Sequence, residues 1–269
     1  MKKIKKTLKA ITAIIKNPWL LNNVLADDAV WQQYLEKNYQ LKNGLPVVDI
    51  NQLSPNFTET LDCVAFLDGS SLPTDFALLK SLTKKFKDCS YFEIGTWRGE
   101  SVINVADNCK ECYTLNLSKE EILSLGLGEK YADLHGFFSK GKENIKHITG
   151  NSLTYDFKGL NKKFDVVFID GDHRYEYVKN DTQKVFEHLV HEQTIVVWHD
   201  YAYNPEKYRP EVLAGILDGI PAGFKKYLYH TSDTMCAIFI KEQFPTSVLQ
   251  SPVTPDKKFK VSITSQVIN

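Results

Sequence analysis

The sequence predicts an α/β fold whose core is a doubly wound, mostly parallel sheet with an antiparallel last strand. Three observations lead to this prediction. Short apolar runs alternate with helical patterns across residues 75–241. The run FDVVFI at 164–169 is almost wholly apolar, as in strands that are buried on both faces of a parallel sheet. Two late runs, around 225–229 and 234–241, follow each other across a short turn and indicate an antiparallel pair.

The other elements follow in a regular order. The residues Pro73–Thr74–Asp75 predict the start of a helix that precedes the sheet. Residues 19–40 have a helical pattern, whereas 44–74 are mixed and irregular. From residue 91 onward the predicted elements are a strand at 91–94, a helix at 101–106, a strand at 112–117, a helical stretch at 119–144 broken near 126–128, strands at 145–148 and 164–169, a helix, a strand at 194–198, a loop at 203–210 and a helix at 211–217.

Length and composition are those of a globular chain with one large domain. The 269 residues include 33 basic and 33 acidic side chains, so the formal net charge is zero. This balance provides no global field that would attract nucleic acid, and no nucleic-acid partner is expected. The predicted organisation is a helical extension and irregular cover at 1–74, the main domain at 75–241 and a tail at 242–269.

Residues 1–16 have the pattern of a basic amphipathic helix. They include six lysines and no acid, and their leucine and isoleucines recur at helical spacing. The segment lacks the continuous apolar centre of a secretory signal, so we expect it to be retained. Two roles stay open: docking on the main domain or on a partner in a homo-oligomer, and peripheral contact with an anionic membrane surface.

Five scattered cysteines argue against a disulfide framework and for a reducing, cytoplasmic compartment. Cys109-x-x-Cys112 is the closest pair. Neither a second ligand pair nor a thioredoxin-like context accompanies it, so we expect it to be structural. The chain also has no run of roughly 18 apolar residues that could cross a bilayer.

The main domain begins with a glycine-containing loop, Glu93-x-Gly95-x-x-x-Gly99, after the strand at 91–94. Glycines allow the backbone to approach a ligand closely. The acid precedes the first glycine, whereas a dinucleotide fingerprint reads G-x-G-x-x-G and has its acid about 20 residues later. The pattern resembles motif I of class I S-adenosylmethionine-dependent methyltransferases. That resemblance implies that Glu93, Gly95, Thr96 and Gly99 bind the methionine end of S-adenosylmethionine.

Polar residues lie at the carboxyl ends of five of the predicted strands. Ligands of doubly wound sheets bind beyond the carboxyl ends of the strands, so we expect these side chains to converge. They are Glu93, Asn116, Asn151 with Ser152, Asp170 with Asp172 and His173, and His199 with Asp200. Titratable groups concentrated at the edge of a core predict a catalytic or metal site.

Two of these strand ends make the resemblance closer. FDVVFIDGDHRY at 164–175 and VVWHDY at 196–201 are similar to the metal-dependent small-molecule O-methyltransferases that act on macrolide and aminocoumarin sugars and in cephalosporin biosynthesis. The resemblance covers about residues 75–241 and implies a Rossmann-like methyltransferase sheet. It implies methyl transfer from S-adenosylmethionine to a hydroxyl group of a small-molecule acceptor such as a sugar or glycan precursor.

The resemblance also implies which residues contact each part of the cofactor. Asn116 is expected at the ribose, where most relatives have an acid, and an amide can still hydrogen-bond a hydroxyl group. Asn151 and Ser152 are expected on the adenine side. Asp170 is expected to serve both the cofactor and a metal.

For the reaction itself, the resemblance implies that Asp170, His199 and Asp200 hold a divalent cation, usually Mg²⁺. His199 departs from the oxygen ligands that Mg²⁺ prefers, so three alternatives stay open: no metal, a transition ion, or His199 as a base. Asp172 is implied as the general base, and His173 is a second candidate for the same role.

Three further questions stay open at this level. The aromatic residues Trp97, Tyr201 and Tyr203 either line the acceptor pocket or simply pack. The turn at 191–193 is His-Glu-Gln where relatives commonly have Gly-Gly, so its shape is uncertain. A nicotinamide-dependent oxidoreductase and a non-catalytic partner-binding domain are the competing functions.

Overall fold

A single eight-stranded sheet forms the centre of the protein, whose computed structural model describes residues 2–18, 20–21 and 28–268. In chain order the strands are β1 (Val47–Val48), β2 (Cys89–Ile94), β3 (Cys109–Asn116), β4 (Ile145–Thr149), β5 (Phe164–Ile169), β6 (Val190–Trp198), β7 (Ala202–Asn204), β8 (Lys207–Tyr208), β9 (Leu228–Thr231) and β10 (Ala237–Phe239). Their order across the sheet is β1-β9-β10-β6-β5-β2-β3-β4, and β7 and β8 form a separate hairpin.

Helices cover both faces of this sheet. They are α1 (Lys2–Lys16), α2 (Asp28–Tyr39), α3 (Ile50–Leu53), α4 (Pro73–Thr83), α5 (Glu100–Ala106), α6 (Lys119–Ser124), α7 (Glu129–Asp133), α8 (Tyr175–His188) and α9 (Pro210–Gly219), with short 3₁₀ helices at Phe157–Leu160 and Ala222–Tyr227. No helix in the described ranges has the length and hydropathy needed to span a bilayer.

The predicted doubly wound sheet is confirmed. Strands β4, β3, β2, β5 and β6 are parallel, and β10 runs antiparallel to both β6 and β9. The chain leaves β2 toward β3 on one side and reaches β5 on the other, so the order reverses between β2 and β5. Ligands of such sheets bind at this reversal, outside the carboxyl ends of the strands.

Alternate residues of each central strand enter opposite layers of the core. Phe92, Val167 and Val196 pack on one face, whereas Tyr91 and Val166 pack on the other. All five are fully buried. Burial on both faces explains why these strands are apolar runs without polar alternation.

The irregular stretch 44–74 differs from its prediction, because it contributes structure to the main sheet. Strand β1 pairs in parallel with β9, and Val47 also forms a bridge with Ser247 of the tail. The late pair β9 and β10 is therefore covered by β1 and does not form the edge of the sheet. Two residues are too short a run to show a strand period, which is why the sequence pattern missed β1.

Other boundaries also differ from the prediction. The helical stretch at 119–144 is limited to α6 and α7, and turns follow to residue 144. The predicted loop at 203–210 contains the β7–β8 hairpin. Within the helical pattern at 19–40 the structure has α2, whereas residues 19 and 22–27 lie outside the described part of the chain.

Helix α2 is attached to the main domain through one carboxylate on α9. The hydroxyl groups of Tyr34, Tyr39 and Tyr175 all donate hydrogen bonds to Asp218. Trp31 of α2 stacks on Tyr175 with 4.7 Å between ring centroids. The amino-terminal extension thus covers the α8–α9 side of the sheet.

Candidate active site

The glycine loop is shaped by contacts within the protein. Gly95 has φ +90°, and a Cβ atom there would lie 1.9 Å from the carbonyl oxygen of Asp170. Gly99 has φ +81°, and its Cβ would lie 2.4 Å from Ser139 Oγ. Both positions combine a left-handed backbone with a close approach, so only glycine fits. The ends of β2 and β5 are thereby brought together.

Glu93 is fully buried beneath this loop. Its carboxylate lies 2.8 Å from the hydroxyl of Ser101, 3.0 Å from that of Tyr91 and 3.1 Å from that of Thr96. Burial raises the pKa of Glu93 to about 8, although the three hydroxyl groups oppose the shift. Such a carboxyl group is poised to ionise when a cation arrives beside it.

Asn116 and Thr96 meet at His135, a residue that the sequence analysis did not single out. The Asn116 amide contacts His135 Nδ1, which lies 3.0 Å from the Thr96 carbonyl oxygen. Burial lowers the pKa of His135, so its ring is neutral at pH 7. The rings of Trp97 and Tyr131 pack on it with centroids 5.0 and 5.3 Å away. These aromatic residues form a wall over the glycine loop.

Asn151 and Ser152 lie in the loop after β4, as predicted from their place in the sequence. Asn151 Oδ1 accepts a hydrogen bond from the Leu153 amide at 3.0 Å, and the Ser152 carbonyl accepts one from Asn180. Asp181 of α8 is buried nearby, and burial raises its pKa to about 6 against the hydrogen bonds from Ser152 and Asn180. Asp181 shares the buried face of α8 with Val178 and Val185, a spacing that could have revealed it.

A cluster of carboxylates and imidazoles occupies the ends of β5 and β6. His199 Nδ1 lies 3.2 Å from Asp170 and 3.1 Å from Asp200, and its Nε2 lies 3.1 Å from Asp75. His173 Nε2 lies 2.9 Å from Asp200 and 3.7 Å from Asp170. The structure therefore brings together four residues that the sequence placed at two separate strand ends.

The opposite charges in this cluster stabilise one another. Burial acts to lower the pKa of His199, but the surrounding carboxylates outweigh it and raise that pKa well above the ordinary value. Burial likewise opposes the charge on His173, yet Asp170 and Asp200 raise its pKa to about 9. Burial would raise the pKa of both aspartates, but the imidazoles outweigh it and lower both values. At neutral pH the cluster consists of imidazolium and carboxylate ions.

Asp75 was interpreted from the sequence only as part of a helix start. It does accept a hydrogen bond from the Leu72 amide at 2.9 Å, as a residue in the first turn of α4 would. It is also fully buried and accepts from the Met235 amide at 2.9 Å as well as facing His199. An acid within an apolar helix is a weak signal by itself, since helix caps use the same residue type.

The donor atoms of Asp170, His173 and Asp200 lie within 4.8 Å of one another, close enough for one cation to contact all three. Asp75, His199 and Cys236 form a second such group below them. Two carboxylates and one imidazole suit Mg²⁺ only in part and suit transition ions well. The sequence predicted His199 as the third ligand, whereas His173 is the histidine in the first group; His199 Nδ1 lies 3.2 Å from Asp170 and 3.1 Å from Asp200.

Asp172 stands apart from this cluster. Its carboxylate is bound by Arg174, whose Nη2 lies 2.6 Å away and whose Nε lies 2.9 Å away. Burial would raise the pKa of Asp172, but Arg174 outweighs it and lowers the pKa, so the carboxylate is ionised at neutral pH. It lines a cavity of about 370 Å³ together with Gly171, His173, Arg174, Tyr203, Arg209, Glu211 and Val212.

The three aromatic residues considered for an acceptor pocket have different environments. Tyr203 lines the cavity, and its hydroxyl donates to Asp28 of α2 at 2.7 Å. Trp97 lies in the wall over the glycine loop. Tyr201 is fully buried and its hydroxyl accepts from the Leu45 amide at 2.9 Å, so it packs inside the protein away from the cavity.

The sequence of this sheet and site matches a known family model. Residues 92–201 match the model described as a methyltransferase domain. This segment is similar to methyltransferase domains. The match begins in β2 before the glycine loop and ends after the His199–Asp200 pair, so it contains every predicted site residue. The match is to the same class of domain that the glycine-loop motif resembles.

Individual proteins that resemble this chain share only low sequence identity with it. Uncharacterized protein R132 of Acanthamoeba polyphaga mimivirus is 27% identical over 156 residues, which cover 55% of this chain and 67% of that protein. The SAH-bound Podospora anserina methyltransferase PaMTH1 is 19% identical, with a TM-score of 0.45, over 64% of this chain and 80% of that one. Cofactor-bound Rv0187 from MTB is 17% identical, with a TM-score of 0.42, over 66% and 84% of the two chains.

Proposed function

We propose that this chain transfers the methyl group of S-adenosylmethionine to a hydroxyl oxygen of a small molecule. One observation carries the proposal: the buried Glu93 under its glycine loop and the ionised Asp172 beside its cavity lie at the carboxyl ends of β2 and β5, which are adjacent in the sheet. Glu93 suits binding of a cationic methyl donor, and Asp172 suits the role of proton acceptor. Adjacent strand ends would hold both reactants at one edge.

The donor half of the proposal rests on the residues of β2 and β3. Glu93 has a pKa of about 8 in the ligand-free protein. A nearby ammonium group would lower that pKa, because a positive charge favours the carboxylate form, and the ion pair would hold the methyl donor. The Asn116 amide lies at the end of the adjacent strand and can hydrogen-bond ribose hydroxyl groups. Asn151 and Ser152 follow the next strand, β4, and would contact the adenine side.

The acceptor half rests on the protonation states at the cavity. The acceptor oxygen attacks the methyl carbon in line with the sulfur that leaves, and its own proton must pass to a base. Asp172 is an ionised carboxylate at the cavity wall and would take that proton when the acceptor displaces Arg174, because the Arg174 contact is what lowers its pKa. His173 has a pKa of about 9, so at neutral pH it holds a proton, lies against Asp200 and does not act as the base.

The cluster also fits a divalent cation. Asp170 and Asp200 would supply two carboxylates, and His173 or His199 would supply a nitrogen after losing its proton to the cation's competition. A bound cation lowers the pKa of a hydroxyl group that it contacts, which would assist the same proton transfer. The cavity walls contain carboxylate, imidazolium and guanidinium groups, which suit a polyhydroxylated acceptor such as a sugar or glycan precursor.

Isothermal titration calorimetry with S-adenosylhomocysteine, with and without Mg²⁺, tests the proposal. Saturable binding that Glu93→Ala weakens is the expected result, and NAD is the control ligand. Tight binding of NAD without binding of S-adenosylhomocysteine would replace the proposal with a nicotinamide-dependent reaction. A change in affinity on adding Mg²⁺ that Asp170→Asn removes would support the cation site.

A further inference from the structure

Helix α1 exposes an apolar stripe that the rest of the described chain leaves uncovered. Ile4, Leu8, Ile11 and Ile15 have exposed fractions of 66, 59, 49 and 73%. At 100° per residue these side chains fall within an arc of about 60°. Four large aliphatic side chains on one line of a helix are costly to leave in water, so this surface is suited to binding.

The charge around the stripe has one sign. The helix contains six lysines and no acid; Lys6 and Lys9 lie on the side of the helix away from the stripe, and Lys5 lies beside it. The rest of the chain compensates for this charge, since the whole protein is formally neutral. The positive charge is therefore a local property of the helix and its partner is expected to be anionic.

We propose that α1 lies in the plane of an anionic lipid bilayer, with its apolar stripe among the acyl chains and its lysines at the phosphate level. A basic helix with a narrow apolar face has the form that such surfaces bind. RNA would pair with the lysines but would leave the stripe in water. Pairing with a second α1 would cover the stripe but would bring lysines of like charge together.

The link between α1 and α2 limits the distance between a membrane-bound α1 and the main domain. Asp28, at the start of α2, accepts a hydrogen bond from Tyr203 on the cavity wall. The chain from Lys16 to Asp28 spans at most about 40 Å when fully extended. The acceptor cavity thus stays within that distance of the lipid surface. This inference concerns α1 alone and does not depend on the proposed reaction.

Co-sedimentation of the full chain with vesicles tests the inference. The vesicles contain either phosphatidylcholine alone or phosphatidylcholine with phosphatidylserine. We expect binding to the anionic vesicles, and a loss of about a hundredfold in the triple variant Lys5→Gln, Lys6→Gln, Lys9→Gln, because each lysine near such a surface contributes about fivefold. The matched control is Lys85→Gln, Lys87→Gln, Lys110→Gln, which removes the same charge from exposed lysines elsewhere and should bind like the parent chain.

A second variant distinguishes lipid from the other anionic partners. Ile11→Ser keeps every charge and should still weaken vesicle binding, because it interrupts the apolar stripe. Equal binding of the two triple variants, or of neutral and anionic vesicles, would overturn the inference. So would tight binding of single-stranded RNA that Ile11→Ser leaves unchanged, or a dimer in sedimentation velocity that Ile11→Ser dissociates without any vesicle binding.

Discussion

At the scale of single residues, burial and hydrogen bonding act in opposite directions on the same carboxyl groups. Glu93 has three hydroxyl partners but no cation among its hydrogen-bond partners, and burial raises its pKa to about 8. Asp172 is bound by a guanidinium, and its pKa is lowered in spite of burial. Two acids at the ends of adjacent strands therefore have different charge states at neutral pH, which is how proteins assign different roles to them.

The stability of the ligand-free protein should depend on pH through Glu93. Its folded pKa of about 8 exceeds the ordinary value of 4.5, so its proton stabilises the fold fully below pH 4.5, and this contribution is lost as pH rises through 8. We expect Glu93→Gln to remove this slope, which amounts to a few kcal/mol at most. Urea denaturation at several pH values between these limits measures it. Parallel profiles for the two proteins would contradict the raised pKa.

Asp172→Asn should depress turnover about 10²- to 10⁴-fold, because a proton acceptor at the cavity is lost, and should change the affinity for S-adenosylhomocysteine little. Methyl transfer to an active acceptor and calorimetry measure the two quantities. The control is Asp88→Asn at an exposed turn with φ +55°, which asparagine tolerates. Equal losses of turnover and affinity would assign Asp172 to cofactor binding instead.

At the scale of elements, the site depends on how strand ends and helices approach one another. Gly95 allows the end of β2 to contact the backbone of Asp170 at the end of β5. Asp218 joins α2 to α9 through three tyrosine hydroxyl groups. In both places one residue sets the distance between two elements, so a small change should have effects beyond its own position.

Gly95→Ala should destabilise the protein far more than Gly126→Ala. Both glycines have positive φ, +90° and +81°, so both substitutions incur the backbone strain of about 1–2 kcal/mol. Only at Gly95 does the new methyl group overlap a carbonyl oxygen, whereas nothing lies within 4 Å at Gly126. We expect a difference of more than about 2 kcal/mol in the free energy of unfolding, measured by urea denaturation. Similar losses would mean that strand β2 can move away from β5.

Asp218→Asn should release α2 while leaving the main sheet intact. The charged acceptor is lost, and hydrogen bonds to charged groups contribute about 1.5–3 kcal/mol. Hydrogen exchange should show faster exchange over Asp28–Tyr39 with unchanged protection in β5 and β6. Glu176→Gln, at an exposed position on α8, is the control and should exchange like the parent protein. Unchanged protection of α2 would show that packing of Trp31 suffices to hold it.

At the scale of the whole molecule, the amino-terminal region has two parts with different relations to the sheet. Leu35, Val48, Ile50 and Leu53 are fully buried, and β1 covers β9. Helix α1 instead has its apolar stripe exposed. The region from α2 onward is part of the folded core, whereas α1 contributes little to it.

Two shortened chains should separate these parts. A chain that begins at Asp28 should unfold at the same temperature as the full chain. A chain that begins at residue 75 should lose cooperative unfolding, because four buried side chains contribute together about 6–12 kcal/mol, comparable with the whole stability of a domain. Thermal unfolding followed by circular dichroism measures both. A cooperative transition in the shorter chain would show that residues 75–241 form an independent domain.

The sequence by itself determined the alternation of strands and helices from β2 to β6, the reversed late strand, the glycine loop and the polar strand ends. These features depend on local periodicity and on residues a few positions apart, which a linear pattern displays. Only the tertiary structure decided which charges meet. Asp75 reaches His199 across 124 positions, and Asp200 meets both His173 and His199. Pairing, and the pKa values that result from it, depend on distances and burial that exist only after the sheet has formed.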